Sequence, residues 1–96
     1  MDYGVLKGNL SFMVLWLIDK NKETTGKGIV NELEKRIDRR LNPGTIYPAL
    51  DRLKKKKLIE IQRKMGKDIY YSLTQEGQKE LKASLGRFKR LFHDIK

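Results

Sequence analysis

The chain has 96 residues, no cysteine and a formal net charge of +10. Its length predicts a single domain with a modest core, and the lack of cysteine excludes disulfides and thiolate metal sites. The longest apolar run, residues 12–18, is too short to span a bilayer, and the N-terminus does not resemble a cleavable signal, so we expect a cytoplasmic protein with no membrane partner.

The positive charge is concentrated in one third of the chain. Residues 35–67 contain twelve Lys or Arg against three acidic residues, so they carry nine of the ten net charges. For a lone run such as residues 54–57, a solvated lysine face explains the pattern equally well. A cluster that coincides with a predicted helix-turn-helix and hairpin indicates a nucleic-acid partner instead.

The N-terminal half predicts two helices. Asn9 is suited to cap the first, which runs to about residue 20 and is apolar almost all round. Such a helix must be covered on more than one side, and in a small domain the second cover is most simply another subunit. After a polar turn, Thr24 or Thr25 is suited to cap a second helix, which we expect to end near residue 39 or 40.

The next segment predicts the helix around which the domain is organised. It starts with Asn42, a suitable N-cap, followed by a proline, which suits the first helical position. Ile46, Leu50 and Leu53 recur at helical spacing and form a narrow apolar stripe. The opposite side is polar and cationic, and it carries Thr45, Pro48, Arg52, Lys55 and Lys56. Residues 43–56 therefore predict a recognition helix for a DNA major groove.

After this helix the apolar period changes from helical to alternating, which predicts two strands. The apolar residues that share one strand face are Ile59, Ile61, Ile69, Tyr71 and Leu73. Between the strands, residues 64–68 form a cationic turn with a Gly for a positive φ. Three helices followed by a basic hairpin predict a mainly α winged helix, with the order α-α-α-β-β-α once the last helix is included.

Thr74 is suited to cap this last helix, which we expect over residues 75–94. Its apolar residues repeat at intervals of 4, 3, 4 and 3, the spacing of a coiled-coil seam. They are Leu81, Leu85, Phe88, Phe92 and Ile95. A domain core could cover one or two of these residues, but a stripe of five leaves little surface in the same subunit to cover the rest. Packing between chains is therefore favoured over packing within one chain, and we predict a homodimer, with Leu10 also at the interface. Residues 1–74 then form the DNA-binding part, and residues 75–96 the dimerisation helix, of one structural domain.

We also expect Trp16 to lie at the dimer interface. A core or interface position is favoured over the wall of a pocket for a flat ligand. A small-molecule effector is compatible with the chain but unsupported by any residue pattern.

The segments PGTIYPALDRLKKKKLIE and IYYSLTQEGQKEL together resemble the PadR-like winged-helix transcriptional regulators. The resemblance covers residues 26–82 and implies a dimeric DNA-binding regulator, often a repressor, whose C-terminal helix pairs the subunits. Two positions depart from the family pattern. The second helix commonly begins Gly-Tyr, whereas this chain has Gly26 and Lys27, and Lys57 replaces the usual Gly before the first strand. A left-handed conformation at Lys57 would cost about 1 kcal/mol.

Base contacts are expected from the outward side of the recognition helix, with Thr45 and Tyr47 in its first turns. Thr45 is suited to a base edge or a thymine methyl, and Arg52 to a bidentate guanine contact or a phosphate. The Tyr47 hydroxyl can bond a phosphate, although a place on the flank of the core fits equally well. Pro48 is better explained by contact than by helix stability, because it cannot donate a backbone hydrogen bond.

Phosphate contacts, which set affinity and register, are expected around this helix. Lys64 and Lys67 at the hairpin tip are placed on the DNA backbone or in the minor groove. The other expected DNA contacts are Lys27, Arg39, Arg40, Asn42, Lys54, Lys55 and Lys56.

Other function classes are less well supported. The only histidine, His93, has no cysteine or paired carboxylates around it in the sequence, so we expect neither an enzyme nor a cofactor. The high lysine content is compatible with a nonspecific architectural DNA-binding protein, which is the main alternative. A winged helix that contacts protein or RNA is the other.

Overall fold

The structure, a computed structural model, describes residues 9–92, with the backbone alone at residue 92. The predictions made for residues 1–8 and 93–96, among them His93 and Ile95, lie outside the described residues, as does the prediction for the side chain of Phe92. The elements in chain order are α1 (Leu10–Asn21), β1 (Thr24–Thr25), α2 (Gly26–Ile37), α3 (Pro43–Lys55), β2 (Ile59–Met65), β3 (Asp68–Leu73) and α4 (Gln75–Phe92).

Three antiparallel strands form a sheet in the order β1-β3-β2. The strands β2 and β3 are the predicted hairpin, here called the wing, and Gly66 in its turn has a φ of 61°. The segment that contains β1 was predicted to be a turn, which was wrong, because β1 pairs with β3 at Tyr70 and Tyr71. Over the described residues, four helices and this sheet form a winged helix, which confirms the predicted fold class.

The first helix, α1, lies at the centre of the core. It packs against all the other helices and against β1 and β3. We expected a second subunit to cover the side of α1 that carries Leu15, but Leu15 is already buried within one chain. The buried hydrophobic residues are Met13, Val14, Leu15, Leu17, Ile18, Ile29, Val30, Leu33, Ile37, Leu41, Ile46, Ala49, Leu50, Leu53, Ile59 and Leu81.

Three of the predicted N-caps accept a hydrogen bond from a backbone N–H in the first turn, which satisfies one of the free donors at a helix start. They are Thr25 (from Gly28, 3.0 Å), Asn42 (from Gly44, 2.9 Å) and Thr74 (from Gly77, 3.0 Å). Asn9 precedes α1 as predicted, but its side chain makes no capping hydrogen bond.

The second helix ends two or three residues earlier than predicted. Asp38 adopts a left-handed conformation, with φ 55° and ψ 46°, and this stops α2 at Ile37. Asp is one of the few residues that tolerate this conformation, because its short polar side chain can hydrogen-bond locally. The chain then turns inward to bury Leu41, whose N–H donates to a Glu34 carboxylate oxygen at 2.8 Å.

The third helix ends in a Schellman motif. The N–H of Leu58 donates to the carbonyl of Leu53 at 3.0 Å, and the N–H of Lys57 donates to the carbonyl of Lys54 at 2.9 Å. This motif places one residue in the left-handed region, a position that Gly usually occupies. Here it is Lys57, with a φ of 61°.

The start of α4 is fixed to this turn. The Thr74 hydroxyl donates to the Lys57 carbonyl at 2.6 Å, and the Thr74 N–H donates to the Leu58 carbonyl at 3.1 Å. A Cβ atom at Gly77 would lie 1.9 Å from the Leu58 carbonyl oxygen, so only Gly permits this approach. The end of α3 and the start of α4 therefore form one rigid junction.

Replacing Lys57 with Gly should stabilise the fold by about 1 kcal/mol, because Gly adopts a positive φ without a Cβ clash. For a domain of this size the gain corresponds to a rise in melting temperature of about 4–8 °C. Lys57→Ala is the matched control, since it removes the same charge but keeps the Cβ atom. Thermal unfolding that gives equal melting temperatures for the two variants would contradict strain at this position.

Candidate nucleic-acid interface

The core contacts of α3 decide which of its residues face outward. The buried residues are Ile46, Ala49, Leu50 and Leu53, each at most 2 % exposed. An α-helix turns by about 100° per residue. The direction opposite to the buried set therefore falls at Pro48, Asp51 and Lys55, which are all exposed. The helix is one residue shorter than predicted, since Lys56 is its C-cap.

Three of the predicted base-contact residues lie together. Thr45, Pro48 and Arg52 line one groove, whose other walls come from the start of α1 and from Ser84 of α4. Arg52 and Pro48 are exposed, and Thr45 is partly buried. Thr45 and Arg52 thus present a methyl-bearing hydroxyl and a guanidinium on the same side of α3, two groups that suit contact with base edges.

Tyr47 lies on the other flank of α3, in a second cleft between the wing and the start of α2. Lys27 and Lys67 line the same cleft, so the structure brings three predicted phosphate-contact residues together. A Cβ atom at Gly26 would be 2.6 Å from Cε1 of Tyr47, so the ring packs directly against Gly26. The side chain is still 49 % exposed, so Tyr47 both supports α2 and presents surface to solvent.

Asp51 is a residue of this face that sequence reasoning missed. It lies about one turn after Pro48 and one turn before Lys55 on the outward side of α3, and it places a carboxylate within a cationic surface. Burial raises the pKa of Tyr71 above its usual value of 10.0, and the Asp51 carboxylate and Tyr47 raise it further. Asp51 is therefore close enough to the wing to act on Tyr71 electrostatically. Helical angles measured from the apolar stripe would have identified it.

The remaining predicted phosphate contacts surround these two sites. Lys54, Lys55 and Lys56 are exposed at the end of α3, and Lys64 is exposed on β2. Arg39 and Arg40 are exposed in the α2–α3 turn, where they line a shallow depression. The side-chain oxygen of Asn42 is engaged in capping α3.

Metal-binding and membrane-spanning features are absent from the part of the chain that the structure describes. Between residues 9 and 92, no three His, Cys, Asp or Glu side chains lie close enough together to hold a metal ion. None of the helices in that same part of the chain is both long enough and apolar enough to cross a membrane.

Comparison with known proteins identifies the family. Residues 14–83, most of the chain, match the sequence model of the transcriptional regulator PadR-like family. The chain belongs to the PadR-like family of transcriptional regulators. The members of this family are regulators rather than enzymes. No curated protein matches the sequence.

Several solved structures have the same fold. A PadR-like regulator from Bacillus cereus is 30 % identical, with 96 % of this chain and 95 % of that chain covered and a TM-score of 0.75. RosR from H. salinarum is 28 % identical over 85 % of this chain and 74 % of that chain, with a TM-score of 0.76. A transcriptional regulator from Clostridium thermocellum, at 22 % identity, covers 99 % of this chain and 97 % of its own, with a TM-score of 0.79.

In this PadR-like chain the residues predicted for dimerisation lie in different environments. Leu81 was predicted to lie at the dimer interface, but it is 5 % exposed and belongs to the core of its own chain. Phe88 is 47 % exposed, and its ring stacks on Phe12 with centroids 6.3 Å apart. Leu91, which was not among the predicted residues, is 73 % exposed. The residues that are partly buried against the core are Leu10, Trp16 and Leu85.

Trp16 is engaged within its own chain. The guanidinium carbon of Arg36 lies 4.8 Å from the ring centroid, and Nζ of Lys20 lies 5.7 Å from it. Glu32 holds both cations, with N···O distances of 3.7 and 3.6 Å. Burial tends to raise the pKa of Glu32, but the Asn21 hydrogen bond and the two cations outweigh burial and lower it. The cations therefore occupy ring surface on which a flat ligand would otherwise stack.

The raised pKa of Tyr71 predicts a specific loss of stability in alkali. Since the folded pKa lies above the unfolded value, the contribution to stability is complete below pH 10 and declines as the pH rises through the folded pKa. Tyr71→Phe keeps the ring without the ionisable group. Urea unfolding at about pH 8 and about pH 11 should show a smaller alkaline loss for the variant than for the parent chain. Equal losses would contradict the shift.

Proposed function

We propose that this chain regulates transcription in the cytoplasm as a homodimer that binds specific double-stranded DNA, acting as a repressor. In each subunit α3 enters the major groove, and the wing lies on the backbone or in the minor groove. The finding that carries the proposal is the meeting of Lys27, Tyr47 and Lys67 in one cleft. Three separate segments of the chain thus supply phosphate-binding groups to a single surface, next to the outward face of α3.

Phosphate contacts in this proposal provide affinity and register. The exposed cations on both flanks of α3 neutralise phosphates, and the counterions released make binding strongly salt-dependent. A duplex could be held by these groups whatever its sequence. Sequence choice therefore has to come from the residues that point at the groove floor.

Base contacts are assigned to Thr45, Arg52 and Asp51. Arg52 suits a bidentate contact with guanine, and a carboxylate such as Asp51 can accept from the amino group of cytosine. An exposed carboxylate in the centre of a DNA-binding face repels phosphates, so a binder that ignores sequence gains nothing from it. Asp51 therefore favours a sequence-reading regulator over an architectural protein.

The dimer is proposed to form through α4 and the start of α1. Phe88 and Leu91 leave large apolar surfaces exposed along α4, and Phe12 of α1 extends this patch by stacking on Phe88. A second copy of the same surface would remove the patch from water. Two-fold symmetry would then place the two α3 helices about 34 Å apart, one DNA turn, on a near-palindromic site.

Selection of bound duplexes from a random pool tests the proposed function directly. We expect a near-palindromic sequence that is bound at least about 10³-fold more tightly than random DNA at physiological salt, by two copies of the chain. An affinity ratio near one would identify a nonspecific architectural protein instead. Mass measurement of the complex gives the number of subunits in the same experiment.

The base and phosphate roles are separated by two arginine variants. Arg52→Ala should lower discrimination at one base pair of each half-site by about 1–3 kcal/mol. Arg40→Ala should weaken binding to selected and random duplexes alike, and should reduce the slope of log K against log salt by about 0.9 for each phosphate that is no longer neutralised. Titrations of both duplexes at several salt concentrations measure both effects. Equal weakening on the two duplexes by Arg52→Ala would exclude its base-reading role.

The dimer surface is tested by a charge placed within the apolar patch. Phe88→Glu should yield monomers, because a carboxylate would be buried at the interface without a partner. Ala83→Glu is the matched control, since residue 83 is exposed and lies about 140° away from Phe88 around α4. Analytical ultracentrifugation should show a monomer for the first variant and a dimer for the second. Identical masses for the two variants would place the interface elsewhere.

A further inference from the structure

One side chain crosses the whole sheet. Arg63 belongs to the edge strand β2. Its Nε donates a hydrogen bond to a Glu23 carboxylate oxygen at 2.9 Å, and its Nη2 forms an ion pair with the same oxygen at 2.7 Å. Glu23 immediately precedes β1, which is the opposite edge of the sheet. Between them lies Tyr70 of β3, whose ring centroid is 4.0 Å from the guanidinium carbon. Arg63 therefore links all three strands, although Glu23 is 40 positions away in the sequence.

The local structure of β2 directs Arg63 to this place. The pairing of β2 with β3 changes register between Ile61 and Arg63, so Arg63 rather than Gln62 lies opposite Tyr70. Such a bulge re-aims the side chain that follows it. A guanidinium is suited to the position because it is planar, stacks on an aromatic ring and still offers N–H groups in the plane to a carboxylate. The hydrogen bond to Glu23 raises the pKa of Arg63 above its usual value.

The outer part of the wing has few other attachments to the helices, whereas Tyr71 and Leu73 of β3 pack against the core at the base of the wing. Of the seven residues of β2 only Ile59 is buried, and the six that follow are exposed. The strand β1 meets β3 at two residue pairs. A two-stranded hairpin is marginally stable by itself, so its direction depends on the groups that tie it to the rest of the domain. Since Glu23 lies two residues before Thr25, the cap of α2, the Arg63 contact ties the wing to the start of the helix-turn-helix.

We infer that Arg63 is a positioning residue for DNA binding. Together with Glu23 and Tyr70 it fixes the direction of the wing relative to α2, so that Lys67 at the wing tip and Lys27 at the start of α2 reach the duplex in register. The inference rests on the proposed function, because the register matters only if both lysines bind one duplex. The charge of Arg63 is directed to Glu23 and not to a phosphate.

Whether one substitution raises or lowers the affinity for DNA distinguishes a positioning role of Arg63 from direct contact. Glu23→Ala makes the chain one unit more positive, so electrostatics alone predicts tighter DNA binding. Breaking the ion pair between Arg63 and Glu23 predicts weaker binding instead, by about three- to tenfold on the selected duplex, because the wing lysines lose their register. Glu60→Ala is the matched control. It removes an exposed carboxylate from β2, the strand that carries Arg63, and we expect DNA binding that is unchanged or tighter.

The Glu23→Ala variant is then combined with Arg63→Ala. If Arg63 acts through Glu23, the double variant should bind about as weakly as Arg63→Ala alone, and the two effects should not add. If Arg63→Ala weakens binding while Glu23→Ala leaves it unchanged or tightens it, Arg63 contacts DNA directly and the inference is wrong. Thermal unfolding of each variant shows that it is folded before it is titrated.

Hydrogen exchange of the free protein tests the contact without DNA. Amides of residues 62–70 should exchange faster in Glu23→Ala than in the parent chain, and at the parent rate in Glu60→Ala. Unchanged exchange in Glu23→Ala would overturn the inference even if DNA binding is confirmed. Conversely, a parent chain with no preference for the selected duplex would defeat the proposed function, whatever the exchange rates show.

Discussion

The packing of one side of α3 into the core is the constraint on which the interface depends. Ile46, Leu50 and Leu53 are buried together with Ala49, and this leaves no freedom in the rotation of the helix. Burying side chains of this size contributes about 1.5–3 kcal/mol each, so a rotation that exposed them would cost more than the surface charges could return. The outward position of Pro48 and Arg52 is therefore a consequence of core packing.

Both ends of α3 are also fixed. Asn42 caps its start, and the Schellman turn at Lys57 joins its end to the start of α4 through Thr74. A recognition surface gains specificity when its side chains are held before the ligand arrives, because less conformational freedom is lost on binding. The left-handed Lys57 shows that the junction is kept even with a residue that does not favour this conformation.

The wing is held differently from the helices. Ile59, Tyr71 and Leu73 attach its base to the core, but the residues of β2 beyond Ile59 are exposed. The outer part is held by pairing with β3 and by polar contacts such as that of Arg63 with Glu23. Interactions of this kind are individually weak in solvent, so the wing belongs to the less stable part of the domain. A recognition helix held by the core, beside a wing whose outer part is held by polar contacts, suits a protein that reads bases with one element and follows the phosphate backbone with the other.

The sequence predicted the features that depend on local signals. Thr25, Asn42 and Thr74 are capping residues next to regular apolar spacing, so the helix starts were found correctly. The strand β1 is two residues long and has no period to detect, and it exists only because β3 offers an edge. The burial of Leu15 and Leu81 within one chain depends on how α1 and α4 pack against the rest of the domain. The spacing of apolar residues within either helix carries no information about that packing. Asp51 was missed as a residue of the interface because an acidic residue type does not suggest DNA contact. Its outward position follows only from the helical angle between it and the buried side of α3.

Affinity cleavage by a labelled α3 tests the central claim most directly. The chain has no cysteine, so Lys55→Cys provides a single attachment point for an iron chelate on the outward face. If α3 reads the major groove of both half-sites, the chelate should cut the selected duplex in two clusters about 34 Å apart. The same chelate on Lys79→Cys, an exposed position of α4, should cut far less. Equal or scattered cutting by the two labels would contradict the account, because α3 would then not be the element that lies in the groove.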